Sequence, residues 1–250
     1  MKRLTTMRRR TKIIIAVLLA VTVVLVSFLV WAETPLGPMP QALAALKSDS
    51  AVTVSMGSWL VFTPVNFTSK VGFIIYPGGH VDYRSYAPEA HAIAAEGYLA
   101  VIAPMELNLA IFSENAATGI INSYPQVKTW AIGGHSLGGV IAAQYCHDNP
   151  GKVQGLMLWA AYPESGTDLS KGNLIVTTIH GTLDGVVSES QIQNSLKQLP
   201  SNTVKVEIVG GDHGQFGWYG NQPGDNPATI SRDLQQAEIV NATVQLLQNL

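Results

Sequence analysis

The sequence predicts an α/β fold with a mostly parallel central sheet, preceded by one membrane-spanning helix. Three observations lead to this prediction: a long uncharged apolar run near the N-terminus, apolar strand-like segments that alternate with helical ones, and turn motifs directly after several strands. Val-, Ile- and Leu-rich strands that alternate with helices are typical of parallel sheets covered on both faces. The 250 residues are enough for one domain with a large core.

The apolar run spans residues 13–31 and reads IIIAVLLAVTVVLVSFLVW. A helix of about 20 residues crosses a hydrocarbon core of roughly 30 Å. Basic residues before the run and Trp31 at its end predict an anchor with a cytoplasmic N-terminus and an aromatic residue at the far interface. The alternative is a signal peptide cleaved at Val30-Trp31-Ala32, although such apolar regions usually have about 7–15 residues. Both interpretations place the remainder outside the cytoplasm.

The charge distribution is uneven along the chain. Six of the 15 basic residues and none of the 17 acidic residues lie in residues 1–12, so the remainder has a formal charge of −8. An acidic main domain has no electrostatic footprint for nucleic acid. The single cysteine, Cys146, excludes an intrachain disulfide and a cysteine-rich metal site.

Four segments are predicted along the chain. Residues 1–12 form a basic cytoplasmic tail, 13–32 the anchor, 33–50 a proline-rich linker, and 51–250 one domain. That domain begins with an antiparallel hairpin over residues 51–56 and 59–62. Further strands are predicted at 71–76, 98–102, 129–132, 153–159, 174–179 and 204–209, and helices at 86–96, 113–122, 137–147, 188–199 and 228–247.

A Gly-x-Ser-x-Gly motif spans residues 134–138, between a predicted strand and a predicted helix, with Ser136 at its centre. The motif is typical of a sharp turn that exposes a nucleophilic serine, and it needs glycines because side chains there would collide with neighbouring elements. The helix N-terminus offers free N–H groups and a dipole that favour an oxyanion. The alternative is a plain turn in which Ser136 only caps the helix.

Four short motifs follow predicted strands. They are Tyr76-Pro-Gly-Gly79, Gly134-His-Ser-Leu-Gly138, His180-Gly-Thr-Leu-Asp184 and Gly210-Gly-Asp-His213. With these motifs the chain resembles the α/β-hydrolase superfamily, in particular its small cap-less members related to dienelactone hydrolase. The resemblance covers roughly residue 52 to the C-terminus. It implies the order oxyanion loop, nucleophile, acid and base.

A serine nucleophile needs a base that takes its proton, and a histidine base needs an acceptor that fixes its tautomer. The resemblance implies His213 as the base and Asp184 as the acid. Glu164 and Asp168 are alternatives for the acid, because some members of the superfamily carry it after the preceding strand. A solvated loop histidine is the alternative role for His213. We expect His135, next to the nucleophile, to be a packing residue.

The oxyanion hole is expected to combine the N–H of Leu137 with an N–H from loop 77–80. We expect Gly79 to be the second donor, with His80 as the alternative. Many esterases have His-Gly where this chain has Pro77-Gly78, so a plain Pro-Gly turn is the competing interpretation of this loop. Aromatic residues near these loops, such as Tyr86, either line the pocket or pack beneath it.

The resemblance implies a serine hydrolase that cleaves carboxylic esters or related acyl compounds through an acyl-serine intermediate. Only residues 160–173 separate the strands between which this fold usually carries a cap, so we expect an open site. The expected partners are a small ester substrate and, through residues 13–31, a membrane; no metal or organic cofactor is implied. An acyltransferase on the same fold and a non-catalytic surface binding protein are the alternatives.

Overall fold

The structure is a computed structural model that describes residues 9–250. Most of the predicted basic tail, residues 1–8, lies outside the described residues. Helix α1 (Arg9–Ala32) is exposed along its whole length except at Ala32. It is the one helix within residues 9–250 that is long and apolar enough to cross a membrane. A membrane anchor and a signal sequence both have these properties.

Eight strands form one sheet in the order β1-β2-β4-β3-β5-β6-β7-β8. The β1–β2 hairpin pairs antiparallel with itself and with β4, and the other neighbours are parallel. This architecture confirms the predicted fold class. The strands are β1 (Val52–Met56), β2 (Leu60–Pro64), β3 (Val71–Tyr76), β4 (Leu99–Ile102), β5 (Thr129–His135), β6 (Gly155–Trp159), β7 (Ile175–Gly181) and β8 (Val204–Ile208).

Helices cover both faces of the sheet, so successive residues of a central strand enter different cores. Phe73 and Ile75 of β3 pack in one core, whereas Ile74 packs in the other. This alternation follows from the two-residue period of a strand. The first core contains α3 and α7, and the second contains α4 and α5. The helices are α2 (Pro40–Ala44), α3 (Ala87–Ala95), α4 (Ala116–Ser123), α5 (Leu137–Asp148), α6 (Glu189–Ser195) and α7 (Arg232–Gln248).

Several element boundaries differ from the predicted ones, among them those of β5, α4 and α7. Strand β5 continues to His135 because its last residues still pair with β6. A short 3₁₀ helix at Ala110–Phe112 precedes α4, which begins at Ala116 and not at 113. Helix α7 begins at Arg232 and not at 228, because Ser231 caps it by accepting a hydrogen bond from the Leu234 N–H.

The segment between α1 and β1 lies against the domain. Leu36 forms a parallel bridge with Val81, and the Met39 N–H donates to the carbonyl of Trp218 at 2.7 Å. Ala42 of α2 is fully buried. The proline-rich segment is therefore held by backbone hydrogen bonds along its path, while its boundary with the domain at residue 51 stays a prediction.

Glu89 of α3 is a fully buried carboxylic acid. Burial raises its pKa to about 8, and the nearby Gln236 and Arg232 side chains offset this only in part. Because the folded-state pKa lies above the ordinary value of 4.5, the folded state binds this proton more tightly than the unfolded state does. The contribution of Glu89 to stability is therefore fully present below about pH 4.5 and declines as the pH rises towards about 8.

We expect Glu89→Gln to remove this pH dependence. The stability of the wild-type protein relative to the variant should fall by up to about 1.4 kcal/mol per pH unit between about pH 5 and pH 8. Urea unfolding at a series of pH values measures this difference. Glu96→Gln changes an exposed glutamate after the same helix and should keep the wild-type slope. Parallel profiles for Glu89→Gln and the wild-type protein would contradict the prediction.

Candidate active site

Ser136 lies between the end of β5 and the start of α5. Its φ of 53° and ψ of −124° are unusual for a residue with a side chain, and such a conformation costs about 1–3 kcal/mol. The Ser136 N–H donates to the carbonyl of Trp159 at 2.9 Å, which ties the turn to the neighbouring strand β6. The serine is partly exposed, whereas His135 before it is buried.

Two glycines of the motif allow close backbone contact at this turn. A Cβ atom on Gly134 would collide with the carbonyl oxygen of Tyr76, and one on Gly138 would collide with the carbonyl oxygens of Tyr76 and Pro77. The turn therefore packs directly on the end of β3, where no side chain fits. This contact is the physical reason for the glycine spacing around Ser136.

The structure brings Asp184 and His213 together. Asp184 follows β7, His213 follows β8, and His213 Nδ1 lies 2.8 Å from Asp184 Oδ2. Both side chains are almost fully buried. The other carboxylate oxygen, Oδ1, accepts hydrogen bonds from the N–H groups of Val186 and Val187 at 2.8 and 2.7 Å. The carboxylate is thus fixed with one oxygen towards the ring, which favours the Nδ1–H tautomer and leaves Nε2 as the acceptor.

His135, the residue before Ser136, packs against His213. The ring centroids of His135 and His213 are 4.5 Å apart, and His135 also stacks on Phe216 at 5.6 Å. Within residues 9–250, the Ser136 hydroxyl makes no direct hydrogen bond to His213. Such bonds are often long in unliganded enzymes and shorten when substrate binds.

The other carboxylates near these loops have different surroundings. Glu164 and Asp168 are exposed, and the Asp168 carboxylate accepts a hydrogen bond from the N–H of Ser170 in its own loop. Asp212, next to His213 in sequence, accepts hydrogen bonds from the N–H groups of Gln215 and Ala228. Asp184 is therefore the carboxylate that the structure pairs with His213.

The loop after β3 offers one free N–H group. The His80 N–H donates to the carbonyl of Asn108 at 2.8 Å, and the Gly78 N–H donates to the hydroxyl of Tyr86 at 3.0 Å. In the part of the chain that the structure describes, the N–H groups of Gly79 and Leu137 have no acceptor. A Cβ on Gly79 would lie 3.0 Å from Leu137 Cδ2, so the two residues adjoin. The N–H of His80, the alternative donor, is already engaged.

Tyr86 supports this loop, a role that the sequence left open. Its hydroxyl accepts from the Gly78 N–H and lies 2.8 Å from His135 Nδ1. Burial and the nearby His213 hold the pKa of His135 well below its ordinary value, so the ring is neutral. The Tyr86 hydroxyl and His135 Nδ1 thus share a hydrogen bond whose donor is set by the tautomer of this neutral ring. Gly78 and Tyr86 are eight positions apart, and the sequence between them forms no local pattern that predicts this bond.

One cluster outside this site contains potential metal ligands. His180, Glu189 and Glu207 bring ligand atoms within 4.8 Å of one another. The Lys205 ammonium, however, lies 2.8 Å from a Glu189 oxygen and 2.7 Å from a Glu207 oxygen. Lys205 and Gln193 hold the pKa of Glu189 at about 2. The cluster is therefore an ion-pair network around lysine.

A family model described as the alpha/beta hydrolase family matches residues 72–237. The chain belongs to the α/β-hydrolase family. The matched region contains Ser136, Asp184 and His213, so the β5–α5 turn and the loops after β7 and β8 of this α/β-hydrolase lie inside it. The comparison with curated proteins found no match.

Solved structures share the fold of this α/β-hydrolase. A CIB-like hydrolase from Thermoplasma acidophilum is 17% identical, with a TM-score of 0.58 over 80% of this chain and 99% of the other. A dienelactone hydrolase from Anabaena variabilis is 15% identical, with a TM-score of 0.59 over 79% and 99%. A thermophilic esterase from the planctomycete Thermogutta terrifontis is 14% identical, with a TM-score of 0.54 over 78% and 92%. At these identities the likeness concerns the fold.

We expect Tyr86→Phe to destabilise the protein by about 1–3 kcal/mol, because it leaves the buried Gly78 N–H without an acceptor. Thermal or urea unfolding measures the change. Tyr98→Phe is the matched control: this half-buried tyrosine makes no side-chain hydrogen bond among the described residues, and its loss should have little effect. Equal stabilities of the two variants would show that the Tyr86 hydroxyl does not support the loop.

Proposed function

We propose that this α/β-hydrolase is a serine hydrolase that cleaves carboxylic esters or related acyl compounds through an acyl-serine intermediate. The observation that carries the proposal is the 2.8 Å contact between His213 Nδ1 and Asp184 Oδ2, beside a strained serine at the N-terminus of a helix. Two adjoining N–H groups without acceptors, those of Gly79 and Leu137, add to it. The family and the hydrolase neighbours support hydrolysis as the reaction class.

In the proposed first step, Ser136 Oγ attacks the ester carbonyl while His213 Nε2 takes the hydroxyl proton. Asp184 stabilises the resulting imidazolium, since its carboxylate already holds the Nδ1 side of the ring. The carbonyl oxygen becomes an oxyanion that accepts hydrogen bonds from the Gly79 and Leu137 N–H groups. His213 then gives its proton to the departing alkoxide, and the acyl-serine remains.

In the second step, His213 takes a proton from water, and the hydroxide attacks the acyl-serine carbonyl. The same N–H groups bind the second oxyanion. Its collapse breaks the bond to Ser136 Oγ, which regains its proton from His213 and releases the carboxylic acid. Every proton is transferred through His213 Nε2, so the chain's own residues and water are sufficient for the complete reaction cycle.

We also propose that α1 stays on the mature protein as an anchor and holds the catalytic domain outside the cytoplasm. Support comes from the length of the helix and from its last turn, where Ala32 is fully buried against the domain. A cleavage site usually lies in an accessible, extended segment. Here residues 30–32 are helical.

A fluorophosphonate probe is expected to label Ser136 of the full-length protein in detergent, with the adduct located by peptide mass spectrometry. Ser136→Ala removes the nucleophile and His213→Ala removes its base, so both should abolish labelling. Asp184→Asn should lower turnover of a water-soluble ester by about 10³–10⁴-fold, because the wrong histidine tautomer is favoured.

Glu164→Gln is the matched control for Asp184→Asn and should retain the wild-type rate, since Glu164 is exposed on another loop. A folded wild-type protein that stays unlabelled would overturn the proposed nucleophile. In that case a non-catalytic binding protein becomes the better interpretation.

Retention of α1 predicts that the protein stays in the membrane pellet after alkaline carbonate extraction and yields peptides from the segment before Trp31. Mass spectrometry of the N-terminal peptides measures this directly. A mature N-terminus within residues 31–33, together with release of the protein, would show that the segment is a cleaved signal.

A further inference from the structure

The last turn of α1 packs against the loop that carries the proposed oxyanion donor. The Trp31 indole stacks on the His80 imidazole, with ring centroids 4.2 Å apart and planes inclined by 12°. His80 Nε2 donates to the carbonyl of Trp31 at 2.6 Å. Asn108 Nδ2 donates to the carbonyl of Ala32 at 2.9 Å. Two loops at the carboxyl ends of the strands, the edge of the sheet that carries the candidate active site (the active-site edge), therefore bind the end of the helix.

One of these loops carries the proposed oxyanion donor Gly79, and the other packs beside it. His80 follows Gly79 directly, and its N–H donates to the carbonyl of Asn108. Leu109, the next residue, borders Gly79: a Cβ there would lie 3.6 Å from Leu109 Cδ2. The interfacial end of α1 is thus separated from the oxyanion donor by about one side chain.

The chain after α1 keeps this arrangement rigid. The Leu36 N–H donates to the His80 carbonyl at 2.9 Å, and the Asp82 N–H donates to the Leu36 carbonyl at 3.0 Å. Three residues further on, Met39 bonds to Trp218. The segment between α1 and the domain is therefore bonded to the domain at Leu36 and Met39. These bonds hold the active-site edge at a set distance from the C-terminal end of α1.

An exposed apolar pair continues the Asn108 loop. Ile111 and Phe112 are 45% and 46% exposed, and they lie in the short 3₁₀ helix at Ala110–Phe112. Single exposed apolar side chains are common, but this pair is adjacent and lies on the loop that binds α1. Glu106 and Glu114 on the same loop are exposed as well. The loop therefore suits an apolar contact with zwitterionic lipid better than attraction to anionic lipid.

We propose that the bilayer crossed by α1 covers the active-site edge, that Ile111 and Phe112 insert into it, and that the substrate is an ester-bearing amphiphile resident in that leaflet. Tryptophan at the end of a spanning helix lies at headgroup depth, where the ester groups of acyl lipids also lie. A site one side chain from Trp31 reaches such an ester without extracting the lipid into water. The substrate part of this inference rests on the proposed serine hydrolase, and the membrane contact rests only on the proposed retention of α1.

The membrane contact is tested with an environment-sensitive fluorophore on single cysteines in a Cys146→Ala background. Phe112→Cys carries the label in one protein and Val204→Cys in the matched control. Val204 is also exposed, at 52%, but it begins β8 at the opposite edge of the sheet. The full chain is reconstituted in phosphatidylcholine vesicles with nitroxide-labelled lipid. We expect quenching at position 112 and none at 204, whatever the catalytic activity. Equal signals at both positions would overturn the inference.

The substrate class is tested by the ratio of two rates in the same vesicles: hydrolysis of a bilayer-embedded acylglycerol and of a water-soluble acetate ester. The double variant Ile111→Ser, Phe112→Ser should lower this ratio about tenfold, because it loses apolar contact with the lipid. The control Val65→Ser, Val204→Ser changes two exposed apolar residues at the opposite edge and should keep the ratio.

The outcomes separate the two proposals. Quenching at position 112, with the acetate ester cleaved and the acylglycerol left intact, overturns the substrate class and keeps the serine hydrolase. Failure to cleave either ester, together with no fluorophosphonate labelling, refutes the proposed function itself. An unchanged ratio in the Ile111, Phe112 double variant overturns the role of that pair.

Discussion

The contact between the β5–α5 turn and the end of β3 constrains the rest of this site. Carbonyl oxygens of Tyr76 and Pro77 occupy the space that side chains at positions 134 and 138 would need. The turn is therefore pressed against the strand, and Ser136 is forced to a positive φ. Strand β3 ends at this contact, and the loop of Gly79 begins beside it. The proposed nucleophile and oxyanion donors share this one packing constraint.

Around this contact, polar groups form two short chains of hydrogen bonds. One runs from the amides of Val186 and Val187 through Asp184 to His213. The other runs from the Gly78 amide through Tyr86 to His135. The two chains meet where the rings of His135 and His213 lie side by side. Since His135 is neutral, it packs against His213 without opposing a positive charge on that ring.

The sequence predicted the fold and the order of the site motifs because both depend on local patterns. Strand β3 has the predicted bounds, since a continuous apolar run has clear ends. The start of α7 was missed because tertiary bonds hold Ala228 and Thr229 in a loop. The pairing of Asp184 with His213 came from family resemblance, and the same resemblance left Glu164 and Asp168 as alternatives. The contact of Trp31 with His80 joins residues 49 positions apart, and no local pattern encodes it.

The hydrogen bonds of Leu36 and Met39 affect how the enzyme encounters its substrate as well as how the domain is held. They remove the rotational freedom that a flexible tether would give the domain. In the proposed arrangement the enzyme meets substrate by lateral diffusion in two dimensions. Its rate then depends on the mole fraction of ester in the leaflet, and dilution by inert lipid slows it where dilution by water does not.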